Sequence, residues 1–144
     1  MSLKTSILAV VFGAILSGQN MPPQQGTDDQ PNPEDREHGV ARISLLNGDV
    51  SVRRGDSGDM VAANVNAPML AGDGIQTGPV SRAEVQFDFA NRLRLSALAD
   101  VRLGDLREGA IQIQVGHGTV TYTVIADSQA QVEISTPNAS LRRR

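Results

Sequence analysis

Cysteine and tryptophan are absent from this 144-residue chain, and its only aromatic side chains are Phe12, Phe87, Phe89 and Tyr122. Without thiols there is no disulfide framework, thiolate zinc site, iron–sulfur cluster or cysteine nucleophile. So few rings argue against stacking platforms for bases or sugars. A basic excess is missing too. Thirteen Lys and Arg against sixteen Asp and Glu leave a net charge of −3, the wrong sign for a general nucleic-acid binder. Histidine is scarce: His38 and His117 stand far apart, without the HxxxH or HxH spacing of a metal site, so no metal or cofactor is expected. The nucleophile-elbow GxSxG, phosphate-cradling GxxxxGK and dinucleotide GxGxxG patterns do not occur either.

One apolar run is present, Ile7 to Leu16, with Lys4 before it and the small residues Ser17 and Gly18 after it. Ten residues of helix reach roughly 15 Å, about half of a ~30 Å hydrocarbon core. Residues 1–18 therefore read as a secretory signal peptide, and no permanent membrane span is expected. The tetrad Leu16-Ser17-Gly18-Gln19 resembles a bacterial lipobox, but Gln19 stands where the lipid-bearing Cys is required. Residues 19–38 hold four of the seven prolines and a run of acids, Asp28, Asp29, Glu34, Asp35 and Glu37. Such a stretch buries too little apolar surface to offset its ordering entropy, so it reads as a disordered Pro-rich acidic linker. Calcium-loop spacing is absent from it.

From Ala41 onward the pattern is alternation. Ile43 and Leu45 form one apolar file and Val50 and Val52 another. Ala83, Val85, Phe87 and Phe89 alternate with Glu84, Gln86 and Asp88, and Leu93 and Leu95 with Arg92 and Arg94. Ile111, Ile113 and Val115 alternate with glutamines, and Val120, Tyr122 and Val124 with threonines. Period two puts one face of each segment inward and the other in water, so residues 39–144 are expected to be one all-β domain. Turn residues fall at regular intervals: Asn47-Gly48, Gly55-Asp56, Gly72 to Gly74, Gly78-Pro79, Ala90-Asn91, Gly104, Gly109 and Gly116 to Gly118. Asn47-Gly48 is the strongest hairpin signal in the chain. Gly116-His117-Gly118 reads as a second hairpin turn with an exposed His. Spacings of about 8–12 residues suit a sandwich-like stack, a barrel or a short β-solenoid of stacked rungs. Gly-Asp recurs, for example at 48–49, 55–56, 72–73 and 104–105; Asp bonding to nearby backbone amides explains it without calcium.

Two sets of charges invite a functional reading. Glu84 and Asp88 could in principle hydrolyse a glycosidic bond, but they fall on the outward, solvated side of an alternating strand. Arg92, Arg94, Arg102, Arg107 and Arg142 to Arg144 could form a basic stripe contacting an acidic partner or envelope polymer. On strands they too occupy solvated positions.

The order of short motifs carries a resemblance. LAGDGIQTGPVSRAEVQF starts at Leu70, followed by RLRLS from Arg92, then GHGTVTYTV, then VEISTPNA. This order resembles the FecR-type domain of bacterial envelope proteins, with its pattern at Leu70, Gly72, Asp73, Ile75, Thr77, Gly78, Ser81, Arg82, Ala83, Gly118, Val120, Thr136 and Pro137. The resemblance spans roughly Ala41 to the C-terminus. The family pattern usually has Asp-Gly where this chain has Ala90-Asn91. It also continues beyond the Thr-Pro strand into a closing strand, so the chain is expected either to be truncated after Arg144 or to leave its last strand edge open. The resemblance implies a non-enzymatic, periplasmic or secreted bacterial module that binds an envelope protein or a cell-wall polymer. A polysaccharide hydrolase and a structural fragment of a longer protein are the alternatives.

Overall fold

Side-chain alternation with turn residues every few positions specifies short strands, and the computed structural model, which describes residues 39–144, consists of twelve. They are β1 (Ala41–Asn47), β2 (Val50–Arg53), β3 (Met60–Ala62), β4 (Pro68–Met69), β5 (Gly74–Thr77), β6 (Arg82–Gln86), β7 (Asn91–Leu95), β8 (Asp100–Arg107), β9 (Ala110–His117), β10 (Val120–Val124), β11 (Gln131–Ser135) and β12 (Ser140–Arg143). No helix occurs among the described residues. The signal peptide over 1–18 and the linker over 19–38 lie outside the described residues.

The strands form two sheets. One has five strands in the order β10-β7-β6-β1-β4; the other has seven, β12-β11-β9-β8-β5-β2-β3. All pairs are antiparallel except β11 with β9, which is parallel. Both sheets feed one apolar cluster. Ile43, Met69, Val85, Leu93 and Leu95 come from the smaller sheet, and Val52, Ile75, Val101, Leu103 and Ile113 from the larger; all are essentially inaccessible to solvent. Full burial of each such side chain contributes about 1.5–3 kcal/mol.

Several local expectations are corrected. Asn47-Gly48 does not close a hairpin. β1 pairs with β4 and β6 in one sheet, and β2 with β3 and β5 in the other, so this turn carries the chain between sheets. Gly48 has φ +78, and a Cβ there would overlap the Ser81 hydroxyl. A left-handed residue in close contact is required, but strand pairing across it is not. Gly116 to Gly118 is likewise a crossing rather than a hairpin, since β9 belongs to the larger sheet and β10 to the smaller; His117 is exposed, as expected. The Ile43–Leu45 file is broken. The β1–β6 register shifts between these residues, so Leu46 packs against the core while Leu45 is 43% exposed. A bulge adds one residue and reverses the alternation beyond it.

Gly104 lies inside β8, at a register shift between Leu103 and Asp105, not between strands. Phe89 does not continue the buried file. It sits at the β6–β7 turn and is 72% exposed. Residues Ser140 to Arg143 add β12 beside β11, and β12, the last strand, is itself an edge of the seven-stranded sheet.

Candidate functional site

The residues of the motif order divide between the two ends of β5. At its start, the buried Asp73 carboxylate accepts hydrogen bonds from the Gly55 amide (2.8 Å), the Leu70 amide (3.0 Å) and the Arg54 guanidinium (2.9 Å). The turn before β5 is thereby fastened to the β2–β3 hairpin. Gly72 has φ +92, and a Cβ on Gly55 would overlap the Gly72 carbonyl carbon, so both glycines are needed for this backbone approach. Leu70 offers its amide to Asp73, while its side chain is half exposed. Ile75 is fully buried.

At the far end of β5, four chain connections meet. Thr77 is buried; its hydroxyl donates to the Ser96 carbonyl (2.6 Å) and accepts from the Ala99 amide (2.9 Å). The Ser81 hydroxyl accepts from the Asp49 amide (2.9 Å) and donates to the Pro79 carbonyl (3.2 Å). The Gly78 amide donates to the Asp49 carbonyl and the Leu98 amide to the Gly78 carbonyl. Gly118 has φ +88 and lies so close to Ala99 that a Cβ would overlap its Cα. Thr77, Gly78, Ser81 and Gly118 thus hold the crossings between sheets to the turns beside them. Ala83 is buried and Val120 half-buried, while Arg82 is exposed. Thr136 and Pro137 stand apart in the β11–β12 turn, where the Thr136 hydroxyl accepts from the Ala139 amide (3.0 Å). The motif residues therefore form turn-fixing groups, not one cleft.

The two carboxylates considered for hydrolysis are engaged. Glu84 lies on the outward side of β6, but it is buried, not solvated as expected. Its register partner Arg94 donates from Nε at 2.6 Å, the Ser44 hydroxyl donates at 2.8 Å, and the Arg92 guanidinium lies 3.7 Å away. The Arg94 hydrogen bond, above all, holds the Glu84 carboxyl below its ordinary value against the opposing effect of burial, with Ser44 and Arg92 assisting. A general acid needs the reverse shift. Asp88 is half-buried, and its oxygens accept from the Ala90 amide, the Asn91 amide and the Asn91 side chain at 2.7–2.8 Å.

Sequence reasoning missed the network beneath that turn. Asn91 is fully buried, with every polar atom of its amide bonded: Nδ2 donates to Asp88 and to the Ser128 hydroxyl (2.8 Å), and Oδ1 accepts from the Tyr122 hydroxyl (2.8 Å). Burial first, and the Asp88 charge second, push the Tyr122 phenol well above its usual range, with Arg143 opposing. No sequence signal marks this network beyond Asn at the turn, because Ser128 is thirty-seven residues from Asn91.

Arginine placement differs from a single stripe. Arg92 and Arg94 share the outward face of the five-stranded sheet with Arg42 and Arg82, set in rows by the register Arg42–Gln86–Arg92–Thr123 and Glu84–Arg94–Thr121. Arg102, Arg107 and Arg142 belong to the seven-stranded sheet. There Arg107 pairs with Asp105 (3.0 Å) and Arg142 with Glu133 (2.7 Å). A hollow of about 420 Å³ on the five-stranded sheet is lined by Leu45, Arg82, Glu84, Arg94, Ser96 and Thr121, among others. Among the described residues, no group of three His, Asp or Glu side chains is placed to hold a metal ion, and no helix is long and apolar enough to cross a membrane.

Compared with known proteins, the chain matches no family model, no curated protein and no solved structure.

Proposed function

We propose that the chain is an exported, non-enzymatic module of the bacterial envelope, of FecR type and built as a sandwich-like stack, that binds an envelope protein or a cell-wall polymer. One observation carries this reading: the polar groups best suited to chemistry are engaged within the fold. Asp73, Thr77 and Ser81 fix turns, and Glu84 is held ionised beneath Arg94. What faces solvent in an organised pattern is a sheet surface of arginines, hydroxyls and amides, which suits recognition better than turnover. The shared apolar cluster of the two sheets supports the sandwich-like description.

The test is expression of the full chain in a bacterium, followed by fractionation and partner capture from the envelope fraction. The reading expects a form processed near Gly18 outside the cytoplasm, and a reproducible bound component. Intact preprotein left in the cytosol, or turnover in a polysaccharide screen that Glu84→Gln abolishes, refutes it.

A further inference from the structure

The outward face of the five-stranded sheet differs in charge from the rest of this acidic chain. Every charged strand residue in that sheet points to this face: Arg42, Arg82, Arg92 and Arg94, with Glu84 the single carboxylate. Glu84 is covered by two of the guanidinium groups. Arg42 and Arg82 have no ion-pair partner among the described residues, and Arg42 only donates to the Asn66 carbonyl (3.2 Å). The Arg92 Nε is buried without a hydrogen-bond partner. Resting on the reading of the chain as an interaction module, we infer that this face binds a linear acidic polysaccharide carrying carboxylates along its length.

Charge complementarity selects an anion, and arginine suits carboxylate because its planar fork can donate two parallel hydrogen bonds. The spacing suits a repeating ligand. Arg92 and Arg94, two apart on one strand, stand about 6.8 Å from one another, and Arg42 and Arg92, flanking Gln86, about 9.6 Å. Between them lie Gln86, Thr121 and Thr123, whose amide and hydroxyl groups both donate and accept. Sugar hydroxyls use both capacities, whereas polyphosphate offers acceptors alone. Single-stranded nucleic acid is disfavoured because no strand of this sheet presents a ring on this face: Tyr122, the one aromatic residue within its strands, alternates to the other side, its hydroxyl on Asn91 and its ring 6.2 Å from that of Phe87, and the exposed Phe89 sits in the β6–β7 turn. An acidic protein partner would look for apolar anchors, and within the strands of this sheet Leu45 is the one large apolar side chain exposed.

Binding of the full chain to polygalacturonate at low ionic strength tests this inference, with fully methyl-esterified polygalacturonate and polyphosphate as comparison ligands. The wild-type chain should bind polygalacturonate, lose it as salt rises, and ignore the neutral ester. Each exposed guanidinium–carboxylate contact is worth about threefold in affinity, so Arg42→Gln with Arg82→Gln should weaken binding about tenfold. Arg53→Gln with Arg102→Gln, on the other sheet, should leave it unchanged. The ester comparison needs no variant and stands even if one misfolds. No wild-type binding, preference for polyphosphate, equal binding of the ester, or equal loss in both double variants overturns the inference. An envelope component captured equally by wild type and the Arg42→Gln, Arg82→Gln chain would remove this inference alone and leave the module reading standing.

Discussion

Replacing Asp73 tests how much the fold depends on one carboxylate. Its two oxygens accept from the amides of Gly55 and Leu70 and from the guanidinium of Arg54. In Asp73→Ala the two amides lose their partner and the Arg54 guanidinium keeps only the Pro68 carbonyl (3.1 Å), and the Gly55–Gly72 backbone contact keeps the site from collapsing around the gap. Arg54 is one-third exposed and can turn to water; the two amides are at the surface end of the turn, so each costs near the lower end of the range for an unmade bond. The sum is about 3 kcal/mol, or about 12 °C in Tm for a domain of this size. Asp73→Asn keeps one acceptor and should lose about half as much. Asp56→Ala is the control: Asp56 accepts only from the neighbouring Ser57 amide on an exposed loop, and should change stability by less than about 0.5 kcal/mol. Urea unfolding followed by far-ultraviolet circular dichroism and by Tyr122 fluorescence, the only tyrosine in the chain, gives both midpoint and slope. A loss below about 1 kcal/mol for Asp73→Ala, or one equal to Asp56→Ala, refutes the reasoning.

Three further outcomes are expected. Gly109 and Gly118 both have positive φ, but only Gly118 faces a neighbour; Gly109→Ala should cost about 1–2 kcal/mol and Gly118→Ala about 4 kcal/mol or the folded state itself, and equal costs would contradict the packing described. Because the Glu84 carboxyl is held below its ordinary 4.5, its contacts stabilise the fold fully above about pH 4.5 and cease to as pH falls through the lowered folded value. Urea midpoints of Glu84→Gln should therefore vary less than wild type between about pH 5 and 3; parallel profiles would count against the Arg94 pairing. The Tyr122 phenol, raised above its ordinary 10.0 by burial and by Asp88, should show no phenolate absorbance in the folded chain as pH passes 10, and stability should decline above that pH because the unfolded chain ionises first. A normal phenol titration in the native chain would contradict the burial of the Tyr122 hydroxyl beside Asp88.

Alternation made the strands legible because a sheet with one buried face imposes period two directly on the residues, as in Val85 between Glu84 and Gln86 or Ile113 between Gln112 and Gln114. What it could not supply was partnership. Asn47-Gly48 signals a left-handed turn, and the turn is there, but the same φ serves a hairpin and a crossing between sheets; only the distant strands β5 and β6 decide which. Bulges escaped for a related reason, since the Ser44 and Gly104 shifts depend on the partner strand rather than on local composition. Short strands such as Pro68–Met69 have too few residues to display a period. Charge on an outward position reads as solvation, which holds for Arg94 but fails for Glu84, because cross-strand neighbours forty and ten residues away close over it.

Amide chemical-shift mapping of the nitrogen-15-labelled full chain, titrated with galacturonate oligomers, probes the arginine face most directly. Perturbations should gather at Arg42, Arg82, Gln86, Arg92, Arg94, Thr121 and Thr123, leaving the Asp73 and Thr77 turns unmoved. Shifts centred on Leu70 to Asp73, or on the outward residues of the seven-stranded sheet, would place recognition elsewhere and contradict it.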